Sequence, residues 1–172
     1  VNVSDEEIKP SFDIIKSNGS IEIKANVKAR GLLLELKDNE AGTPLFYLYN
    51  HQLFVWKDQQ ASDIAENFFP AGSKKTSFSD WSNVLQKEVL PLTKEYKVNF
   101  DKSLLQEIKD GKPEISLYLA EKGDYLLFQP IFSYKGYATT ARERDEVVVP
   151  AGDKVIIVHR NRPVEQEFIA KM

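Results

Sequence analysis

Two histidines, His51 and His159, are the residues best suited to carry a proton, and the chain has no cysteine. A hydrolytic triad needs a nucleophile, an imidazole within hydrogen-bond reach and an acid to orient it. His51 lies in Asn50-His-Gln52 between two apolar runs, where a polar turn residue is the ordinary reading. His159 closes the apolar run Val155-Ile-Ile-Val158, beside Arg160. No Gly-x-Ser-x-Gly elbow precedes a helix. Without cysteine there is no thiolate zinc site, disulfide framework or cysteine nucleophile, and two distant histidines make no dense metal site. No catalytic and no metal-binding residue is expected.

Hard-cation and nucleotide motifs are also missing. Asp38-Asn-Glu40 and Glu143-Arg-Asp-Glu146 lack the spacing of a calcium loop and read as solvated turns. No glycine-rich phosphate loop occurs, and Ala71-Gly-Ser-Lys-Lys-Thr76 has no strand in front of it. No cofactor is expected in this segment.

What remains is cationic: Lys24/Lys28/Arg30, Lys74/Lys75, Arg142/Arg144 and His159/Arg160/Arg162. The last cluster is the best candidate for a nucleic-acid contact. Its arginines flank a strand end and the start of a helix, where backbone N–H groups favour anions. The alternative is that Arg160 and Arg162 pair with Glu165, Glu167 or the acidic run 143–146 and hold the last helix on the sheet. The 172 residues carry 23 Lys plus Arg against 26 Asp plus Glu, a net charge of −3, so DNA binding needs a local patch.

The elements that must position these groups fall into two patterns. Residues 1–10 are acidic and end at Pro10, which reads as a linker or a frayed terminus. Phe12–Lys16 and Ile21–Val27 alternate around Ser17-Asn-Gly-Ser20, a strong hairpin signal. Runs 31–36, 44–49 and 53–56 extend this to an antiparallel meander over about 11–57, rich in aromatics (Phe46, Tyr47, Tyr49, Phe54, Trp56). From about residue 58 the period becomes helical. Helices are predicted near 61–69, 79–90, 101–109 and 163–172, with Pro91 ending or kinking the second. Strands are predicted at 96–100, 115–119, 125–134 and 155–160. The predicted core includes Trp81, Leu85, Leu117, Leu119, Leu127, Phe132 and Ile157.

Strands in blocks with segregated helices predict an α+β fold, mainly antiparallel, as two small lobes over about 11–57 and 58–172. Apolar residues make up 42% and charged residues 28%, a globular composition. No apolar run approaches the roughly 20 residues that span a bilayer, so no membrane partner is expected and a cytoplasmic location is. The chain opens on Val1 and closes inside a helix at Met172, so it is read as one segment of a longer protein.

Leu117-Tyr-Leu-Ala-Glu-Lys-Gly-Asp-Tyr-Leu-Leu-Phe-Gln-Pro-Ile-Phe-Ser-Tyr134, with Val158-His-Arg-Asn-Arg162 and Glu165-Gln-Glu-Phe-Ile169, resembles the region N-terminal to the motor of bacterial SWI/SNF-type ATP-dependent helicases. Trp81–Leu92 resembles the helix that precedes this unit. The resemblance covers about 78–172, and residues 1–77 match no pattern. Lys135 stands where that family has glycine, and the cysteine/histidine zinc module of many relatives is missing. The resemblance implies a non-catalytic accessory domain that docks on the ATPase motor or guides DNA, with ATP and magnesium belonging to the parent motor. A second reading is a protein-interaction module whose binding face is the aromatic meander. A stand-alone hydrolase is the weakest reading.

Overall fold

The computed structural model describes residues 1–109, 111–140 and 144–172, and the chain is an α+β protein of two compact units, Val1–Leu104 and Leu105–Met172. The division thus falls well beyond residue 57, where the change of sequence period alone had placed it. The helical stretch 59–95 belongs with the first strands because its apolar face packs on them.

Unit 1 begins with β1 (Asn2–Ile8), so the stretch expected to be a linker is a strand. β2 (Pro10–Ser17), β3 (Ser20–Ala29) and β4 (Leu32–Glu35) form a meander. β5 (Tyr47–Tyr49) and β6 (Gln52–Trp56) form a hairpin in a second sheet. β1 pairs parallel to β6, giving the order β1-β6-β5. The other sheet runs β4-β3-β2-β8, with β8 (Val98–Phe100) parallel to β2. β3 is long enough to take β4 along residues 26–29 and β7 (Ser73–Ser77) along residues 20–24. The aromatic residues of the meander split by alternation: Tyr47, Phe54 and Trp56 are buried and Phe46 is exposed. The Tyr47 hydroxyl donates to Glu35 O at 2.9 Å and Trp56 Nε1 to Pro44 O at 2.7 Å, so these polar tips are satisfied inside.

Helix α1 (Gln59–Glu66) starts at Asp58, whose side chain accepts from Ala61 N at 2.8 Å. It buries Ala61 and Ala65, and the following Phe68 ring lies 5.2 Å from Phe12. The second helix is α2 (Trp81–Val84), a π-turn (Leu85–Val89) and α3 (Leu90–Glu95) in succession. Pro91 does not end it. Proline lacks an N–H to donate, and the wider π-turn directly before it lets the chain run on to Glu95. Trp81, Leu85 and Val89 are completely buried at i, i+4 and i+8. Each side chain of this kind contributes about 1.5–3 kcal/mol of transfer free energy.

Unit 2 contains β9 (Leu105–Ile108), β10 (Glu114–Lys122), β11 (Tyr125–Tyr134), β12 (Tyr137–Thr140), β13 (Glu146–Ala151), β14 (Lys154–His159) and α4 (Arg162–Ala170). The helix predicted over 101–109 is a single 3-10 turn, Lys102–Leu104, followed by β9. Asp101 does cap that turn, accepting from Ser103 N at 2.9 Å. However, Leu105–Ile108 then pair parallel with Val155–Val158, and ladder pairing outweighs the local helical preference. Two sheets result, β10-β11-β12 and β13-β14-β9. Their core is Phe132, Tyr134, Val149 and Val158, with Ile108, Ile115, Val147, Ile156 and Phe168 packed around it.

Of the predicted core, Trp81, Leu85 and Phe132 are buried and Ile157 is half-buried. Leu117, Leu119 and Leu127 are exposed. They lie on the far half of the β10–β11 ribbon, where among the described residues no further layer covers them.

Candidate functional site

The cationic cluster singled out from the sequence assembles where β14 passes into α4. Pro163 sets the first turn of α4, and Asn161 Oδ1 accepts from Val164 N at 3.3 Å. This capped turn places Glu165 five residues after Arg160, facing inward.

Arg160 and Glu165 have 0% and 1% of their side-chain surface exposed. Arg160 Nε donates to Glu165 Oε1 and Nη2 to Oε2, both at 2.8 Å. Nη2 also donates to Thr140 O at 2.8 Å and Nη1 to Arg144 O at 3.0 Å. The Tyr134 hydroxyl donates to Glu165 Oε1 at 2.6 Å and accepts from Asn161 N at 2.9 Å. Burial opposes the charge on Glu165. The bonds from Arg160 and Tyr134, with the nearby charges of Arg160 and Arg162, outweigh it and hold the carboxyl below its ordinary value. Burial and the bond to this carboxylate both raise the Tyr134 phenol.

The other two candidates are partnered as well. Arg162 Nε donates to Asp145 Oδ1 at 2.7 Å and Nη1 to Glu165 Oε2 at 3.3 Å. His159 sits opposite Glu146 across the β13–β14 ladder. Its Nδ1 is 3.4 Å from Glu146 Oε1 and its Nε2 3.7 Å from Glu107 Oε2, contacts that are ion pairs only when the ring is protonated. The structure therefore brings His159, Arg160 and Arg162 together, each against carboxylates. Glu165 could be read from the sequence as a partner. Tyr134, Thr140 and Glu107 could not: the pairing of β9 with β14 brings Glu107 near, and the packing of the β10-β11-β12 sheet on the other brings Tyr134 and Thr140.

Elsewhere Lys24 and Lys37 both pair with Glu35, and their hydrogen bonds hold its carboxyl below its ordinary value. Lys74 lies 3.9 Å from Glu88 and over the Phe68 ring. His51 occupies the second position of the β5–β6 turn, at φ 60°. Arg142 and Glu143, named above as cationic and acidic candidates, lie outside the described residues. Among the described residues no group of three or more His, Cys, Asp or Glu is placed to hold a metal, and no helix is long and apolar enough to cross a membrane.

Neither a curated protein nor a solved structure matches the chain. The family model described as bacterial SNF2 helicase associated matches residues 1–172, extending the resemblance of the carboxyl-terminal stretch through the first 77 residues. The chain belongs to the bacterial SNF2 helicase-associated family.

Proposed function

We propose that the chain is a non-catalytic accessory domain that docks on the ATPase motor of a SNF2-type DNA helicase and influences its work on DNA. ATP and magnesium are bound by the motor in this reading. One observation favours docking over a direct grip on DNA: the cations best placed to meet phosphate are held by carboxylates of the same unit. Arg160 would leave Glu165 buried without its main partner if it turned to a phosphate, a cost of several kcal/mol. Arg160, Arg162 and His159 then serve to fix α4.

The test is to add the chain to the SNF2 motor that it accompanies and to measure DNA-stimulated ATP hydrolysis. The reading predicts a saturable change in the motor's rate and no hydrolysis by the chain alone. A motor whose rate and elution are unaffected contradicts it.

A further inference from the structure

The outer half of the β10–β11 ribbon carries seven large apolar residues in the open: Leu117, Tyr118, Leu119, Tyr125, Leu126, Leu127 and Phe128, each 42–80% exposed. The register sorts them into two faces. Leu117 lies opposite Pro130, Leu119 opposite Phe128 and Glu121 opposite Leu126, and cross-strand partners share a face. One face is thus Leu117, Leu119, Leu126, Phe128 and Pro130 with Glu121 at its tip end, the outward continuation of the side on which Ile115 and Phe132 meet the core. The other face carries Tyr118, Ala120, Tyr125 and Leu127, with Gln129 and, at the tip, Lys122. Gly123, at φ 62° in the two-residue turn, closes the tip tightly.

Area decides what kind of partner fits. A large apolar side chain offers roughly 150–250 Å² when free, so the exposed fractions give about 400 Å² on each face. The two together, about 800 Å², match one partner's share of a standard interface. A second copy packed face to face would cover one side only, about half of what a stable pair needs. Charge narrows the choice further. Residues 117–128 hold one lysine, Lys122, against Glu121 and Asp124, and all three lie at the tip. Nothing along the stem attracts phosphate.

We propose that the β10–β11 ribbon is an insertion finger, seated with both faces enclosed in an uncharged, apolar cleft of the SNF2 motor. This rests on the docking reading above and names the element that makes the contact.

The experiment measures the affinity of the 172-residue chain for the isolated SNF2 motor by titration calorimetry. The variants are L119S/F128S on one face and Y118S/L127S on the other, with melting temperature and sedimentation followed in parallel. Because these side chains are exposed, both variants should fold with little change in melting temperature. Each is expected to weaken motor binding about 30-fold, as loss of a central apolar anchor does. Motor binding that both variants retain overturns the finger and leaves docking intact, whereas a wild-type chain that never binds the motor contradicts docking itself. Loss of binding on one face alone overturns the enclosed geometry. A wild-type dimer that the variants dissolve assigns the ribbon to a second copy, and a loss of DNA affinity assigns it to nucleic acid; either result overturns the proposal.

Discussion

Arg160 and Glu165 face each other across the first turn of α4 in a two-bond fork, 2.8 Å on each arm, with almost no exposed surface on either side chain. The fork ties the end of β14 to α4. Tyr134 draws β11 into the same knot by bonding both Glu165 and the Asn161 amide. Arg160→Ala leaves a buried carboxylate with its main partner removed, a loss of about 3–5 kcal/mol. Replacing both residues by methionine should cost far less, because no lone charge stays buried. Urea unfolding of the two variants should show this inversion. A double variant as unstable as Arg160→Ala would show that the fork itself is needed.

The fork also sets a pH dependence. Glu165 has a folded pKa below its ordinary value near 4.5, so the unfolded chain binds the proton more tightly. The stabilisation is fully present above about pH 4.5 and is lost as pH falls through the lower folded value. Glu35, Asp101 and Glu167 are depressed in the same direction and add to the slope. Unfolding free energies between pH 7 and pH 3 should fall less steeply in the double-methionine variant than in the wild type.

Leu85 and Leu127 look alike in the sequence, and the structure separates them. Leu85 is completely buried in unit 1, whereas Leu127 is 50% exposed on the ribbon. Leu85→Ala should cost about 2–5 kcal/mol. Leu127→Ala should cost less than about 1 kcal/mol in the isolated chain.

The departure at Lys135 has a backbone meaning. Lys135 and Gly136 form the two-residue turn between β11 and β12, with φ of 51° and 83°. A non-glycine residue at positive φ is disfavoured by roughly 1–2 kcal/mol, and asparagine tolerates it better than lysine. Lys135→Asn should therefore raise stability by about 0.5–1 kcal/mol, read as a higher melting temperature.

Local signals made some of this fold legible. Asn18-Gly19 marked the β2–β3 hairpin, and the spacing of Trp81, Leu85 and Val89 marked the buried face of the second helix. Non-local pairing hid the rest. Ser73–Ser77 has almost no apolar signal, yet it is a strand because β3 offers it a ladder. Leu105–Ile108 has a helical look and pairs with β14. Alternation in Leu117–Leu119 shows that a face is apolar but not whether another layer of this chain covers it. The site was half legible. Glu165 lies five residues beyond Arg160, in the first turn of the predicted helix, so the pair could be read, but Tyr134 is 31 residues from Glu165 and needed the fold.

Docking on the motor is tested most directly by two parallel binding titrations. The fluorescently labelled 172-residue chain is titrated with the SNF2 motor and, separately, with duplex DNA at low and at physiological salt. The account predicts saturable motor binding that changes little with salt. DNA binding should be no tighter than the non-specific range of about 10⁻⁴–10⁻⁶ M at physiological salt. Tight DNA binding with a steep salt slope, and no affinity for the motor, would contradict it.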